Sequence, residues 1–199
     1  MNARIAELLR DQIDDLNFVE RTAGLVRSLP MKIETEDGAV TKNIPVALNN
    51  ETPCEPEEMM ALVPDSDKMS IIFFEDGGIN ITRRDSWYIH CESTLTMVAW
   101  FNLPMINPDY TDATLLMAHL VAAVPKYIDN DDFITRILVV PIGELDKETV
   151  YSQYDLDLAE NMYFAFPYDY AAFQFNVIFA IPKNCLDKII IDPDECFLK

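Results

Sequence analysis

Glycine is scarce, five in 199 residues against a usual share of roughly 7%. None stands in a GxGxxG or GxxxxGK(S/T) spacing, which excludes a phosphate-cradling loop. Cations are few as well. Lys and Arg total 15 against 34 Asp and Glu, a net charge of −19 with a pI near 4.2. Residues 1–100 hold 9 basic and 18 acidic side chains and residues 101–199 hold 6 and 16, so neither half offers the clustered cations that a nucleic-acid surface needs. Long apolar runs are missing. The longest nearly apolar stretch, 115–124, is ten residues with His119 inside it, far short of the roughly 18 that span a bilayer. The first fifteen residues mix Arg4, Glu7, Arg10, Asp11, Asp14 and Asp15 among apolar positions, a pattern of an amphipathic helix and not of a signal peptide.

Histidine and cysteine are equally sparing. His90 and His119 are the two histidines; Cys54, Cys91, Cys185 and Cys196 have no CxxC spacing, so reduced thiols in a cytoplasm are expected. His90 and Cys91 are neighbours, and in a strand neighbouring side chains leave opposite faces, so they cannot share an ion. No metal and no cofactor are expected. Asp129-Asn130-Asp131-Asp132 begins like a calcium loop, but the sixth position is Ile134 and the twelfth Val140 where Gly and Glu are required. There is no GxSxG, and carboxylate pairs among 34 acids diagnose nothing. The sequence points to a protein that is not an enzyme.

What is present is core material: half the residues are apolar and 11% aromatic, which excludes a disordered acidic chain. Ile5, Leu8, Leu9, Ile13 and Leu16 form one stripe at helical spacing, predicting a helix over 2–16 with Asn2 as its cap. Short strands follow at 18–29, closed by Pro30, and at 31–34 and 40–48 around a turn at 36–38. Residues 49–68 carry Pro53, Pro56, Pro64 and six acids, which predicts a long loop. From residue 70 the pattern becomes β. The segments 70–75 and 79–83 flank Asp76-Gly77-Gly78, the chemistry of a hairpin turn. A strand over 86–103, about 50 Å if straight or bent by a bulge near Ser93, becomes apolar on both faces toward its end.

Pro104, Asn107 and Pro108 break that strand. Asp112 is expected to cap a helix over 113–124 with Leu115, Leu116, His119, Leu120 and Ala123 on one face. The run 134–142 is apolar on both faces, as an interior strand is. Residues 146–168 have no clean period and read as mostly irregular with room for a helical turn; the aromatics of 163–170 are expected at a subunit interface. In 170–181, Phe173, Phe175, Val177, Phe179 and Ile181 alternate with Ala172, Gln174, Asn176, Ile178 and Ala180, another central strand. The order predicts one α+β domain over 1–183, its mainly antiparallel sheet packed by an N-terminal helix and a central helix. It would carry the loop 49–68, an insert at 144–170 and an ordered C-terminal tail at 184–199.

The element order carried by 3–16 with 18–26, 70–103, 112–124 and 172–181 resembles the tail terminator or tail completion proteins of the neck of tailed bacteriophages. The likeness covers a little over half the chain, and the loop, insert and tail are additional to it. It implies a structural virion protein made and assembled in the bacterial cytoplasm. Such a protein forms a homo-oligomeric ring, typically a hexamer, at the head-tail junction, contacts tail tube and head-tail connector or portal proteins, and lets DNA pass without specific binding, with no membrane involved. An acidic lining suits such a conduit because it repels the phosphate backbone. Two readings compete: an acidic DNA mimic that inhibits a basic protein, and a carboxylate-dependent enzyme. On the leading reading Met59, Met60 and Leu62 of the loop and Phe197 and Leu198 of the tail, apolar in segments outside the expected core, face partners.

Overall fold

Fifteen-residue strands set the dimensions of the molecule. A computed structural model describes residues 1–35, 38–47, 60–129, 136–155 and 162–183, with the backbone alone at 31–35, 38–40 and 60. Its elements are α1 (Asn2–Ile13), β1 (Arg21–Thr35), β2 (Gly38–Ala47), β3 (Met60–Ala61), β4 (Ser70–Arg84), β5 (Tyr88–Asn102), α2 (Leu103–Ile106), α3 (Thr114–Ala123), β6 (Tyr127–Ile128), β7 (Ile137–Glu144) and β8 (Tyr168–Pro182). The strands form one sheet in the order β3-β2-β1-β4-β5-β8-β7-β6. Every neighbouring pair is antiparallel except β1 with β4, which run parallel over Arg21 to Leu25. The fold is therefore α+β, as the element order predicts. Among the described residues no helix is long and apolar enough to cross a membrane.

The apolar alternation of β5 and β8 gives the sheet two buried faces. On one, Ile72, Phe74, Leu95, Met97, Phe101, Phe175, Val177 and Phe179 pack under Ile5, Leu9 and Ile13 of α1 and Leu116, Met117 and Leu120 of α3. On the other, Ile71, Phe73, Val98, Trp100 and Ala172 pack under Leu62, Val150, Tyr151 and Tyr154. That is why residues 95–102 of β5 are buried without interruption. The alternation read in 172–181 holds: Phe175, Val177 and Phe179 are buried on the helix side.

Several expectations are corrected. Asp76-Gly77-Gly78 is not a hairpin turn but a bulge inside one continuous strand. Asp76 pairs with Leu95 and Ile79 with Ser93, so β4 spends one residue more than β5 between them. Gly78 has a φ of 91°, and a Cβ on Gly77 would sit 2.9 Å from the Thr94 backbone oxygen. A bulge and a tight turn need the same positive-φ glycine, so the tripeptide alone does not separate them. The chain reverses instead between Arg84 and Tyr88. Pro30 does not close β1, which continues to Thr35 against β2. Past Leu25 β1 has left β4, and a strand partnered on one side tolerates a residue without an N–H. α1 ends at Ile13, and Asn2 is no cap: it is buried and donates from Nδ2 to Asp76 Oδ1 at 2.6 Å. In α3, Leu115 and His119 are exposed and Met117 is buried. Asp112 accepts from the Thr114 N–H at 2.9 Å, as a capping carboxylate does, although the helix boundary residue is Ala113. β7 buries Ile137 and Val139 but exposes Val140 and Ile142, so it is apolar on both faces without being covered on both. The tail 184–199 and residues 49–59 of the loop lie outside the described residues.

Replacing Gly77 with Ala is expected to destabilise the protein by about 1–3 kcal/mol, because the clash is with backbone and a flexible side chain cannot relieve it. Urea unfolding monitored by tryptophan fluorescence measures it.

Candidate functional site

The five residues expected to face partners divide. Leu62 is corrected: it is fully buried in the second core, and its N–H donates to the Pro45 carbonyl at 2.9 Å. Met60 contributes its backbone to β3, opposite Ala47. Met59, Phe197 and Leu198 lie outside the described residues. The stretch 60–69 does not project. Lys68 Nζ meets Glu20 Oε1 at 2.8 Å, the Met69 N–H donates to Glu20 Oε2 at 2.7 Å, and Asn102 Nδ2 donates to the Ser66 carbonyl at 2.9 Å. The Glu20 carboxyl is held below its ordinary value, first by that bond from Lys68.

The aromatic insert also proves to be cover. Leu145 N–H donates to Ala172 in β8 and Asp155 N–H to Asn43 in β2, at 2.8 Å each, so the insert crosses the second face from one side to the other. Trp100 Nε1 donates to the Tyr163 carbonyl at 2.7 Å and its ring stacks on Tyr168. Tyr151 lies 4.9 Å from Phe164, and Phe164 lies 4.8 Å from Tyr170, between ring centroids. Tyr163, Phe164, Tyr168 and Tyr170 thus pack on the protein's own core, correcting the expected interface; Met162 and Phe166 remain exposed.

A cavity of about 280 Å³ opens beside Val150, Tyr151, Tyr154, Phe164 and Tyr170, with Lys147 at its rim. A second, of about 210 Å³, lies between Glu75, Thr96, Gln153 and Tyr154. Tyr154 Oη donates to Glu75 Oε1 at 2.7 Å and accepts from Gln153 Nε2 at 3.2 Å. Burial pushes the Glu75 carboxyl above its ordinary value, against the opposing pull of the Tyr154 bond. Burial and the Glu75 charge push both the Tyr151 and Tyr154 hydroxyls up. Tyr151 stands at φ 66° with its hydroxyl buried and without a partner among the described residues. This chemistry clamps the insert on β4: a carboxylate from the sheet grips a phenol from the insert.

Beyond Glu75 and Thr96 the strands continue without that cover. Ile79 and Ile81 of β4 stand opposite Ser93 and Cys91, on the helix-side face, and both are exposed. On the other face Val140 and Ile178 are exposed, with Leu138 paired to Ile178 and Val140 to Asn176. Asn176 Nδ2 donates to Glu92 Oε1 across the strands. At the tip, Asp85 organises the reversal. Its Oδ1 accepts from the N–H groups of Trp87 at 2.8 Å and Tyr88 at 2.7 Å, and its Oδ2 meets His90 Nε2 at 2.7 Å. The His90 bond first, then those two N–H groups, hold the Asp85 carboxyl well below the usual carboxylate range. Lys183 donates from Nζ to the Asp85 carbonyl and from its N–H to the Trp87 carbonyl at 2.9 Å. Trp87 itself is 76% exposed.

His119 is exposed on α3, edge-on to Phe18. Cys91 is buried and burial pushes its thiol up; the other three cysteines, and 130–135 of the calcium-like run, lie outside the described residues. Among the described residues no group of three or more His, Cys, Asp or Glu could hold a metal ion. No family model, curated protein or solved structure matches this chain.

Because Glu75 has a raised carboxyl in the folded state, folding binds its proton more tightly than the unfolded chain does, and stability falls as pH rises through a window opening at the ordinary value of 4.5. Glu75→Gln removes that dependence: urea midpoints compared from about pH 4 to about pH 8 converge for the two proteins at the acid end and favour the variant progressively above it. Leu62→Ala, emptying a fully buried site, is expected to cost about 2–5 kcal/mol by the same measurement, a loss that a solvent-facing contact residue does not produce.

Proposed function

We propose that this protein is a structural building block that assembles with copies of itself, of the tail terminator or tail completion type. On this reading it forms a ring at the head-tail junction of a bacteriophage virion and meets tail tube and connector or portal subunits, while DNA passes through. The observation that carries the reading is a set of large apolar side chains left exposed toward the Trp87 end of the strands, next to Cys91, Val177 and Phe179, which stay buried. Ile79 and Ile81 on one face and Val140 and Ile178 on the other are exposed, together with Trp87 at the tip. Large apolar side chains exposed at alternate positions of one strand, as Ile79 and Ile81 are, fit a place where another protein sits. The length of the strands supports it too, because a strand carried past its own cover needs a neighbour to bury it. The net charge of −19 fits a passage for nucleic acid that repels the cargo it conducts. Head-to-tail contacts between identical subunits close into rings when the rotation between them allows.

Multi-angle light scattering of the purified protein, followed by electron microscopy of the assembled species, tests the reading. An oligomer in the hexamer range is expected, together with co-assembly when tail tube subunits are added. A protein that stays monomeric and joins neither tube nor connector subunits overturns it.

A further inference from the structure

Among the described residues several cations are held by carboxylates. Arg4 pairs with Glu7, Arg10 with Asp11, Lys68 with Glu20, Lys147 with Asp169 and Arg136 with Asp129. Arg83 and Arg84, the single Arg-Arg pair in the sequence, are exposed at the end of β4 and have no carboxylate partner among the described residues. The nearest carboxylate in sequence, Asp85, is engaged instead by Trp87, Tyr88 and His90. Lys183 adds a third cation at the same end, held on the Asp85 carbonyl.

We propose that the β4–β5 tip, through Arg83, Arg84 and Trp87, docks on an acidic surface of a second copy of this chain. The inference deepens the self-assembly reading and rests on it. Charge complementarity names the occupant: each copy is an abundant source of carboxylates, with 34 acids against 15 bases, while its tip is locally cationic. Arg and Trp are the residues in which interface energy concentrates. The tip is also preorganised. Asp85 locks the turn from inside and the Lys183 N–H ties the end of β8 to the Trp87 carbonyl, so little order remains to be lost on docking.

The same charges dictate the kind of contact. Two tips brought face to face would oppose like charges, so a symmetric tip-to-tip dimer is disfavoured, and the tip meets a different surface on its neighbour. That is a heterologous contact, the kind that builds rings or filaments. Duplex DNA is the other polyanion that two arginines and a tryptophan suit, but the field of a chain carrying −19 repels it at long range.

The test compares wild type with the Arg83→Glu/Arg84→Glu double variant and with Trp87→Ala. All three positions are exposed, and circular dichroism verifies that the fold survives. Light scattering across protein concentration at low and high sodium chloride is expected to give an oligomer for wild type that dissociates as salt rises. In the charge-reversed variant association weakens by on the order of tenfold or more even at low salt, and Trp87→Ala weakens it at both salts. A wild-type oligomer that the charge reversal leaves unchanged overturns the docking assignment and leaves self-assembly standing. A wild type that is monomeric at every concentration overturns both. Retention of a short DNA duplex by wild type, lost in the charge-reversed variant while oligomer size is unaffected, reassigns the arginines to nucleic acid and overturns the proposal.

Discussion

The pairing of β5 with β4 on one side and β8 on the other, sustained over nearly all of its fifteen residues, is the constraint from which the other features follow. Fifteen extended residues reach about 50 Å, whereas the twelve residues of α1 reach about 18 Å. No helix in the described structure is long enough to accompany the strands from end to end. The sheet is consequently buried on both faces between Leu95 and Asn102, where α1, α3 and the insert lie; toward Trp87 burial persists on the helix-side face at Ser93, Cys91 and Phe179 while the positions between them in β5 are half-exposed. The bulge at Gly77-Gly78 sits at the boundary of the two regimes, where Asp76 also receives Asn2 from the start of α1. The extra residue raises the local twist as β4 leaves its helical cover.

The two faces reach burial by different means. Helices cover the first with aliphatic side chains and satisfy their own backbone. The described part of the insert covers the second with turns and one 3-10 turn at Met162–Phe164, so its other backbone polar groups must find partners one by one, and they do so at Ala172 and Asn43 in the sheet. Tyrosine suits that task because its ring supplies apolar area while its hydroxyl can reach a polar atom. Tyr154 does this through Glu75. Tyr151 obtains the packing without the hydrogen bond, and does so at a positive φ, which a non-glycine residue adopts only when its surroundings enforce it. Phe73, Tyr154, Phe164 and Tyr170 around its ring are those surroundings.

What could be read from the residues alone tracks how local the determining physics is. The alternation across 172–181 and the four-residue spacing of Ile5, Leu9 and Ile13 are signals of a single element, and both appear in the structure as expected. Asp76-Gly77-Gly78 announces a positive φ but not whether the chain reverses there, since that depends on the partner strand. Leu62 sits in a proline-bordered apolar run that reads as a solvent-facing patch; only its contact with the second face, formed by residues far along the chain, makes it core. The insert carries no periodic signal because its conformation is imposed by the sheet beneath it. Val140 and Ile178 are apolar for a reason the sequence registers, yet whether a helix, a loop or another subunit covers them is not a property of their own strands.

Acidity then has two consequences that pull against each other. A chain of −19 repels its copies at long range, so association on the proposed reading requires short-range contacts that concentrate opposite charge and apolar area together. Scattered lysines over the surface would lower the repulsion but would also neutralise any acidic passage. An Arg-Arg pair placed at one tip eases that conflict: the tip can engage a neighbour's carboxylates while most of the remaining surface keeps its charge. The exposed tryptophan beside the arginines matters for the same reason, because salt screens the ionic component within roughly 8 Å at physiological strength and leaves burial of the indole as the component that persists.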